Sequence, residues 1–307
     1  MVPAVSMQDK SSVKAILYAL GANVGIAIAK SIAAFMTNSG AMLAEAIHSI
    51  ADSCNQGLLF LGMASSKKPA SPEHPLGYGK AIYFWSFVVA LMLFSMGGLV
   101  SIYEGIHKLK SKTSLENPMV AIIVLIIGVI LEASSLIGAL RIIKKKSKGK
   151  SLWFWFRNSR QSELIVIFGE DTAAVVGLLI AMVAIILTIT TGNLFYDAIG
   201  SIAIGVLLIL VAVSIAIEVE SLLIGESADP EVQKEIVTFI SEQQFVEKIF
   251  NVITFQMGIY VMVSAKIMPR ATLSLNELID CTNQCEKGLK EKFPQVRWVF
   301  LEPDFYD

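Results

Sequence analysis

The stretch Ser39-Gly40-Ala41-Met42-Leu43-Ala44-Glu45-Ala46-Ile47-His48-Ser49-Ile50-Ala51-Asp52-Ser53-Cys54-Asn55-Gln56 is built of small and apolar residues, interrupted by polar ones at a regular spacing. Positions 45, 48, 52 and 55 follow the 3-4-3 steps that align side chains on one helical face. Glu45, His48, Asp52 and Asn55 therefore form one polar stripe on an otherwise oily helix. A carboxylate inside a bilayer costs several kcal/mol unless it is paired or solvated, so such a stripe marks a functional candidate.

Five further stretches around it are long and apolar enough to cross a bilayer, which takes about 20 residues. With the first they give spans near 13–36, 39–63, 81–103, 119–140, 164–190 and 195–217. Composition agrees: of 307 residues 54% are hydrophobic and only 17% charged, and the mean hydropathy is +0.64, too oily for a soluble core alone. The formal net charge of -1 offers no general attraction to nucleic acid. The connection 141–163 carries Arg141, Lys144, Lys145, Lys146, Lys148, Lys150, Arg157 and Arg160 against Glu163, and Lys67, Lys68 and Lys80 follow the second span. The positive-inside rule makes these loops cytoplasmic, with both termini on that side, although Lys108, Lys110 and Lys112 vote the other way. Lacking an Arg-rich amphipathic leader, the chain is expected in a bacterial plasma membrane.

After Glu218 and Glu220 the composition turns ordinary. Asp229-Pro230-Glu231 reads as a helix start. Helical spacing over 230–243, β-rich runs at 246–257 and 259–268 separated near Gly258, a helix over 274–292 and a strand at Val296–Leu301 give the order αββαβ. The expected fold class is an α-helical membrane protein, six transmembrane helices over 1–222 followed by a small α+β domain over 223–307. Cys54, Cys281 and Cys285 are too few and scattered for a disulfide framework.

Other acids also lie inside spans: Glu132 in the fourth, Glu170 and Asp171 in the fifth. Counted at 1.5 Å per residue from the cytoplasmic ends, Asp52 lies ~16 Å deep, Glu132 ~12 Å and Asp171 ~10 Å, so one layer can hold all three. An imidazole with several carboxylates is a borderline-hard donor set for Zn²⁺, or for Mn²⁺, Co²⁺, Ni²⁺ or Fe²⁺. Imidazole titrates at about 6.5, so protons compete for the same groups. The alternative is that these groups satisfy one another and hold helices together.

These residues are similar to the cation diffusion facilitators, proton-coupled exporters of zinc and related metals. Residues 39–56 resemble that family's second span, whose HxxxD or DxxxD pair supplies half of the transport site. His74-Pro75-Leu76-Gly77-Tyr78-Gly79-Lys80 resembles its cytoplasmic motif before the third span. Glu170-Asp171-Thr172-Ala173-Ala174-Val175 and Gly192-Asn193-Leu194-Phe195-Tyr196-Asp197 are similar to the branch represented by the mammalian mitochondrial zinc transporter. The resemblance implies a homodimeric transporter, not an enzyme, with a metallochaperone-like C-terminal domain and no prosthetic group. It implies His48, Asp52 and Asp171 as ligands of the moving metal. Ile167 stands where relatives carry the histidine of a second HxxxD, so a ligand is missing. Glu132 and Glu45 rank ahead of Glu170 as its substitute. His74 is a candidate for a second metal, and Cys281 with Cys285 for another, although two thiols without histidine are more often packed or idle. Lys80 is matched with Glu226, Asp197 with a helix N-terminus, and Lys30 either snorkels or pairs with an acid.

Two rivals remain. Glu45-x-x-His48, Glu104-x-x-His107, Glu132 and Glu170 match a di-iron inventory. His107, however, sits ~39 Å along its span from the inner end and His48 ~22 Å, which excludes a shared centre. A transport-inactive scaffold or metal sensor is the other; acids this costly argue against it.

Overall fold

Helix α2 (Gly40–Ser66) starts where it does because a distant residue caps it. The computed structural model describes residues 8–110, 117–147, 149–271 and 274–306, with only the helical backbone given for 8–20, 22 and 146. Lys112 and Lys148 lie outside the described residues. Asp197, in the first turn of α8 (Phe195–Ile224), accepts the Gly40 amide at 2.6 Å, the Ala41 amide at 3.3 Å and the Ser39 hydroxyl. Those amides have no partner within their own helix, and a carboxylate there also meets the positive end of the helix dipole. Asp197 is a helix N-terminal group, as expected, but the helix it caps is α2. Lys108 donates to the Asn38 side-chain oxygen at 3.2 Å and to its carbonyl, in the turn that joins α1 (Gln8–Thr37) to α2.

The helical rod Ala81–Lys110 is continuous but not uniform: α3 (Ala81–Met92) passes through a π-helical segment (Leu93–Leu99) into α4 (Val100–Lys110). Helices α5 (Pro118–Lys146) and α7 (Ser162–Thr191) complete the long set. Four described helices, Ala81–Lys110, Pro118–Lys145, Ser162–Thr191 and Phe195–Ile224, are long and apolar enough to cross a membrane, and Asn23–Thr37 is a shorter apolar helix. Helix α2 is equally long but carries the polar stripe. The connection expected at 141–163 is partly helical, because α5 runs on to Lys146 and a short α6 (Leu152–Asn158) follows.

The chain divides into two compact units. The first comprises residues 1–62, 85–152 and 163–217. Leu210, Ile130, Ile127 and Leu179 stay exposed on its helices, whereas Ala41, Ala44, Ala51, Leu178, Ile204 and Leu208 are fully buried. An apolar exterior around a small-residue interior is the signature of helices solvated by lipid. Gly98 and Gly205 bring α8 against the Ala81–Lys110 rod: a methyl at 205 would stand 2.7 Å from the Gly98 carbonyl, and Ser201 donates to the Ser101 carbonyl at 2.8 Å.

The second unit comprises residues 63–84, 153–162 and 218–307. Its sheet has the order β1 (Val246–Met257), β2 (Tyr260–Pro269), β3 (Val296–Pro303), antiparallel between the first two and parallel between the last two. Alternation along β2 sends Val261, Val263, Ala265 and Ile267 to a core shared with Ile236 and Ile240 of α9 (Pro230–Ser241) and Cys285 and Leu289 of α10 (Leu275–Lys292). Local chemistry sets the helix starts. Asp229 accepts the Glu231 amide at 2.9 Å ahead of Pro230, and Ser274 with Glu277 forms a capping box. Thus αββαβ matches the sequence expectation element for element.

The same unit clasps two connecting segments. Gly258, at φ 66° in the β1–β2 turn, packs backbone to backbone on Gly79. The Tyr83 hydroxyl accepts the Gly258 amide at 3.1 Å and donates to its carbonyl at 3.3 Å. Lys80 does not pair with Glu226. It donates to the Leu223 carbonyl at 3.1 Å and lies 4.4 Å over the Phe255 ring, where partial burial holds its amine below the ordinary value. Glu226 is taken instead by Arg160, whose planar guanidinium also donates to the Ser227 carbonyl at 2.8 Å. His74 stacks on Tyr78 with centroids 4.3 Å apart, and His107 stacks on Tyr103 at 6.4 Å.

Two outcomes follow. Asp197→Ala leaves the start of α2 uncapped and is expected to cost about 1–3 kcal/mol in mixed-micelle unfolding; an unchanged unfolding curve would show that the cap is dispensable. Burial, with Glu286 adding to it, pushes the Cys285 thiol up to about 11, so about a thousandth is thiolate at pH 8. Iodoacetamide at that pH is expected to mark Cys281 before unfolding and Cys285 only after it, as read by peptide mass spectrometry. Equal labelling in the native protein would contradict this packing.

Candidate metal-transport site

Helical spacing puts Glu45, His48, Asp52 and Asn55 on one face of α2, and all four are buried. What each meets differs along the stripe. Glu45 Oε2 lies 3.2 Å from Lys30 Nζ of α1, and neither side chain has any exposed surface. Its other oxygen abuts α7 at Gly177, where a methyl group would stand 2.5 Å away. The stem of Lys30 passes Gly128 of α5, with Cε 3.5 Å from where a side chain there would begin.

One turn along α2, His48 Nε2 and Asp52 Oδ2 are 3.4 Å apart without hydrogen-bond alignment. Both imidazole nitrogens, Asp52 Oδ1 and Asn55 Oδ1 are buried with no hydrogen-bond partner. An unsatisfied buried polar atom costs about 1–3 kcal/mol, so a row of them on one face is a donor surface without a structural explanation. At the far end of the stripe Asn55 Nδ2 donates to Glu170 Oε1 at 2.6 Å. Asp171, next in sequence, points elsewhere and accepts from Ser135 of α5 at 2.9 Å. A helix turns about 100° per residue, which is why adjacent acids on α7 reach different neighbours.

Electrostatics join these pairs into one cluster. The Asp52 carboxylate interacts with those of Glu170, Glu132 and Asp171, and the field of Lys30 reaches Glu45, His48, Asp52 and Glu132. Among the described residues no three His, Cys, Asp or Glu side chains converge as a ready metal cage. Of the acids of α5 and α7, Glu170 bonds to the stripe at Asn55, and Asp171 is held by Ser135 instead. Ile167, one turn before Asp171, supplies no ligand.

Lys30 is thus placed against Glu45, a choice that hydropathy alone left open. Glu170, ranked behind Glu132 and Glu45 from the sequence, touches the stripe directly. Ser135, Gly128 and Gly177 were missed. A signal existed for two of them: Ser135 is three residues after Glu132, and Gly177 is two full turns after Glu170, on the face that meets α2.

The family model of the cation efflux transmembrane domain matches residues 16–224. The mitochondrial proton-coupled zinc antiporter of Mus musculus is 33% identical over 258 residues, 83% of this chain and 46% of that protein. Metal tolerance protein C4 of Arabidopsis thaliana is 29% identical over 252 residues, 81% of this chain and 55% of that one. The manganese efflux system protein MneP of Bacillus subtilis is 24% identical over 315 residues, 98% of each chain. The chain spans about half the length of the mitochondrial relatives it matches. A polar stripe buried in a lipid-solvated helical bundle, a small C-terminal α/β domain and a family match over residues 16–224 agree, and the chain belongs to the cation efflux family, whose members are transporters rather than enzymes.

Proposed function

We propose that this protein exports a divalent cation, zinc first, from the cytoplasm in exchange for protons, through six spans and as a homodimer. One observation carries the reading: His48 and Asp52 present buried donor atoms without hydrogen-bond partners, and Asp52 feels the charges of Glu132 on α5 and of Glu170 and Asp171 on α7. Their chemistry suits a borderline-hard divalent ion.

In this reading His48, Asp52 and Asp171 hold the ion, and Glu132 or Glu45 completes the shell left open by Ile167. Asp52 lies in the α2 face, so the metal meets it and His48 together, and Asp171 and Glu132 swing in from α7 and α5. Exchanging the Ser135 hydroxyl for the metal is a small change for Asp171. Protons arriving from the opposite side take the same carboxylates and imidazole, so metal and proton exclude one another and the exchange is coupled. The six spans comprise the four long apolar helices together with α1 and α2, with residues 1–222 as the transport domain and 223–307 as the C-terminal domain. Both termini lie in the cytoplasm of a bacterial cell, and the αββαβ domain supports the dimer.

Manganese is the second cargo to test, because an oxygen-rich set suits it and the Bacillus subtilis relative is named for its efflux. The experiment is ion uptake into sealed proteoliposomes under an imposed pH gradient. Wild type is expected to take up zinc as the gradient discharges, and Asp52→Ala to lose at least about tenfold of that rate. Equal, negligible uptake of zinc and manganese by both proteins, with the fold intact, would overturn the reading in favour of a scaffold.

A further inference from the structure

Lys30 is the sole lysine or arginine among the buried residues described, and nothing in the transport reading uses it. It is fully enclosed, as is the Glu45 carboxylate that it meets at 3.2 Å. The enclosure is built for the pair. Gly177 of α7 leaves room for Glu45 Oε1, and Gly128 of α5 lies beside the Lys30 stem. An ion pair taken out of water repays its desolvation only when the geometry is good. Here two helices give up their side chains at the contact.

The position matters as much as the pairing. Glu45 is one turn from His48 on the same face of α2, and the charge of Lys30 acts on His48, Asp52 and Glu132 as well as on Glu45. Any cation bound at His48 and Asp52 therefore stands against a fixed positive charge in a medium that screens poorly. Glu45, the next carboxylate along the stripe after Asp52, already gives its Oε2 to the ammonium, while its Oε1 is buried without a hydrogen-bond partner.

We propose that Lys30 is a positioning residue that competes with the cargo: it holds Glu45 out of the metal shell and, by repulsion, keeps affinity low enough for the ion to leave. This rests on the transport reading above. Glu132 is then the acid that completes the shell. A carrier needs such a brake, because a bundle with five interior carboxylates and no internal cation would bind a divalent ion tightly and turn over slowly.

The test is a double-mutant cycle on the full chain, with zinc affinity measured by calorimetry in detergent and zinc uptake measured in proteoliposomes. Lys30→Met is expected to tighten zinc binding at least about tenfold and to lower KM and turnover together, a combination that lost packing does not produce. Glu45→Gln leaves the ammonium without its partner and is expected to weaken binding about tenfold. Lys30→Met with Glu45→Gln removes both charges and is expected to bring the affinity back to within about threefold of wild type. Weaker or unchanged binding by folded Lys30→Met overturns the proposal; if that variant does not fold, unchanged binding by Glu45→Gln overturns it. Wild type that binds neither zinc nor manganese overturns the transport reading itself, and this inference with it.

Discussion

Burying acid in a low-dielectric bundle is the constraint from which the rest of this molecule follows. Each interior carboxylate must find a partner, water or a proton, and for four of the five the described bundle offers a neighbouring polar group: Lys30 for Glu45, His48 beside Asp52, Asn55 for Glu170 and Ser135 for Asp171. The pairing is incomplete along the α2 stripe, where Glu45 Oε1, both His48 ring nitrogens, Asp52 Oδ1 and Asn55 Oδ1 have no hydrogen-bond partner. A purely structural cluster closes such gaps, because fully satisfied polar networks stiffen a bundle and half-satisfied ones weaken it. The deficit is greatest at His48, both of whose ring nitrogens are open beside the Asp52 carboxylate, and a divalent cation has most to offer there.

Packing serves the same end. Small residues at Ala41, Ala44 and Ala51 let α2 sit inside the bundle, and Asp197 fixes its first turn from α8. A helix tied at its start presents its stripe in one register, so Glu45 meets Gly177 and Asn55 meets Glu170 along α7. In the second unit, the bonds of Tyr83 to Gly258 and of Arg160 to Glu226 and Ser227 tie the first turn of α3 to the β1–β2 turn and the segment before α7 to the residues after α8.

Much of this was legible in the residues. The 3-4-3 spacing placed the stripe, because helical period alone decides which side chains share a face. The αββαβ order was readable because each start has a local cause: Asp229 before Pro230, the Ser274 and Glu277 box, and Gly258 in the turn. What failed to show were contacts between elements distant in sequence. Lys80 matched with Glu226 on charge, yet Arg160 was better placed and has the geometry for a carboxylate and a carbonyl together. Lys30 has no signal of its own in a hydropathy profile, and its slot is written in two glycines on other helices. Of the adjacent pair, Asp171 was read as a ligand and Glu170 as a substitute ranked behind Glu132 and Glu45, and each has its own partner across a different interface.

X-ray absorption at the zinc edge of the loaded, full-length protein tests the central claim most directly. A shell of nitrogen and oxygen with a single imidazole, lost in His48→Ala, is the result this account requires. A shell containing sulfur would bring in Cys54, Cys281 or Cys285, none of which this account assigns to the ion, and an unaltered spectrum in His48→Ala would remove the α2 stripe from the path of the ion.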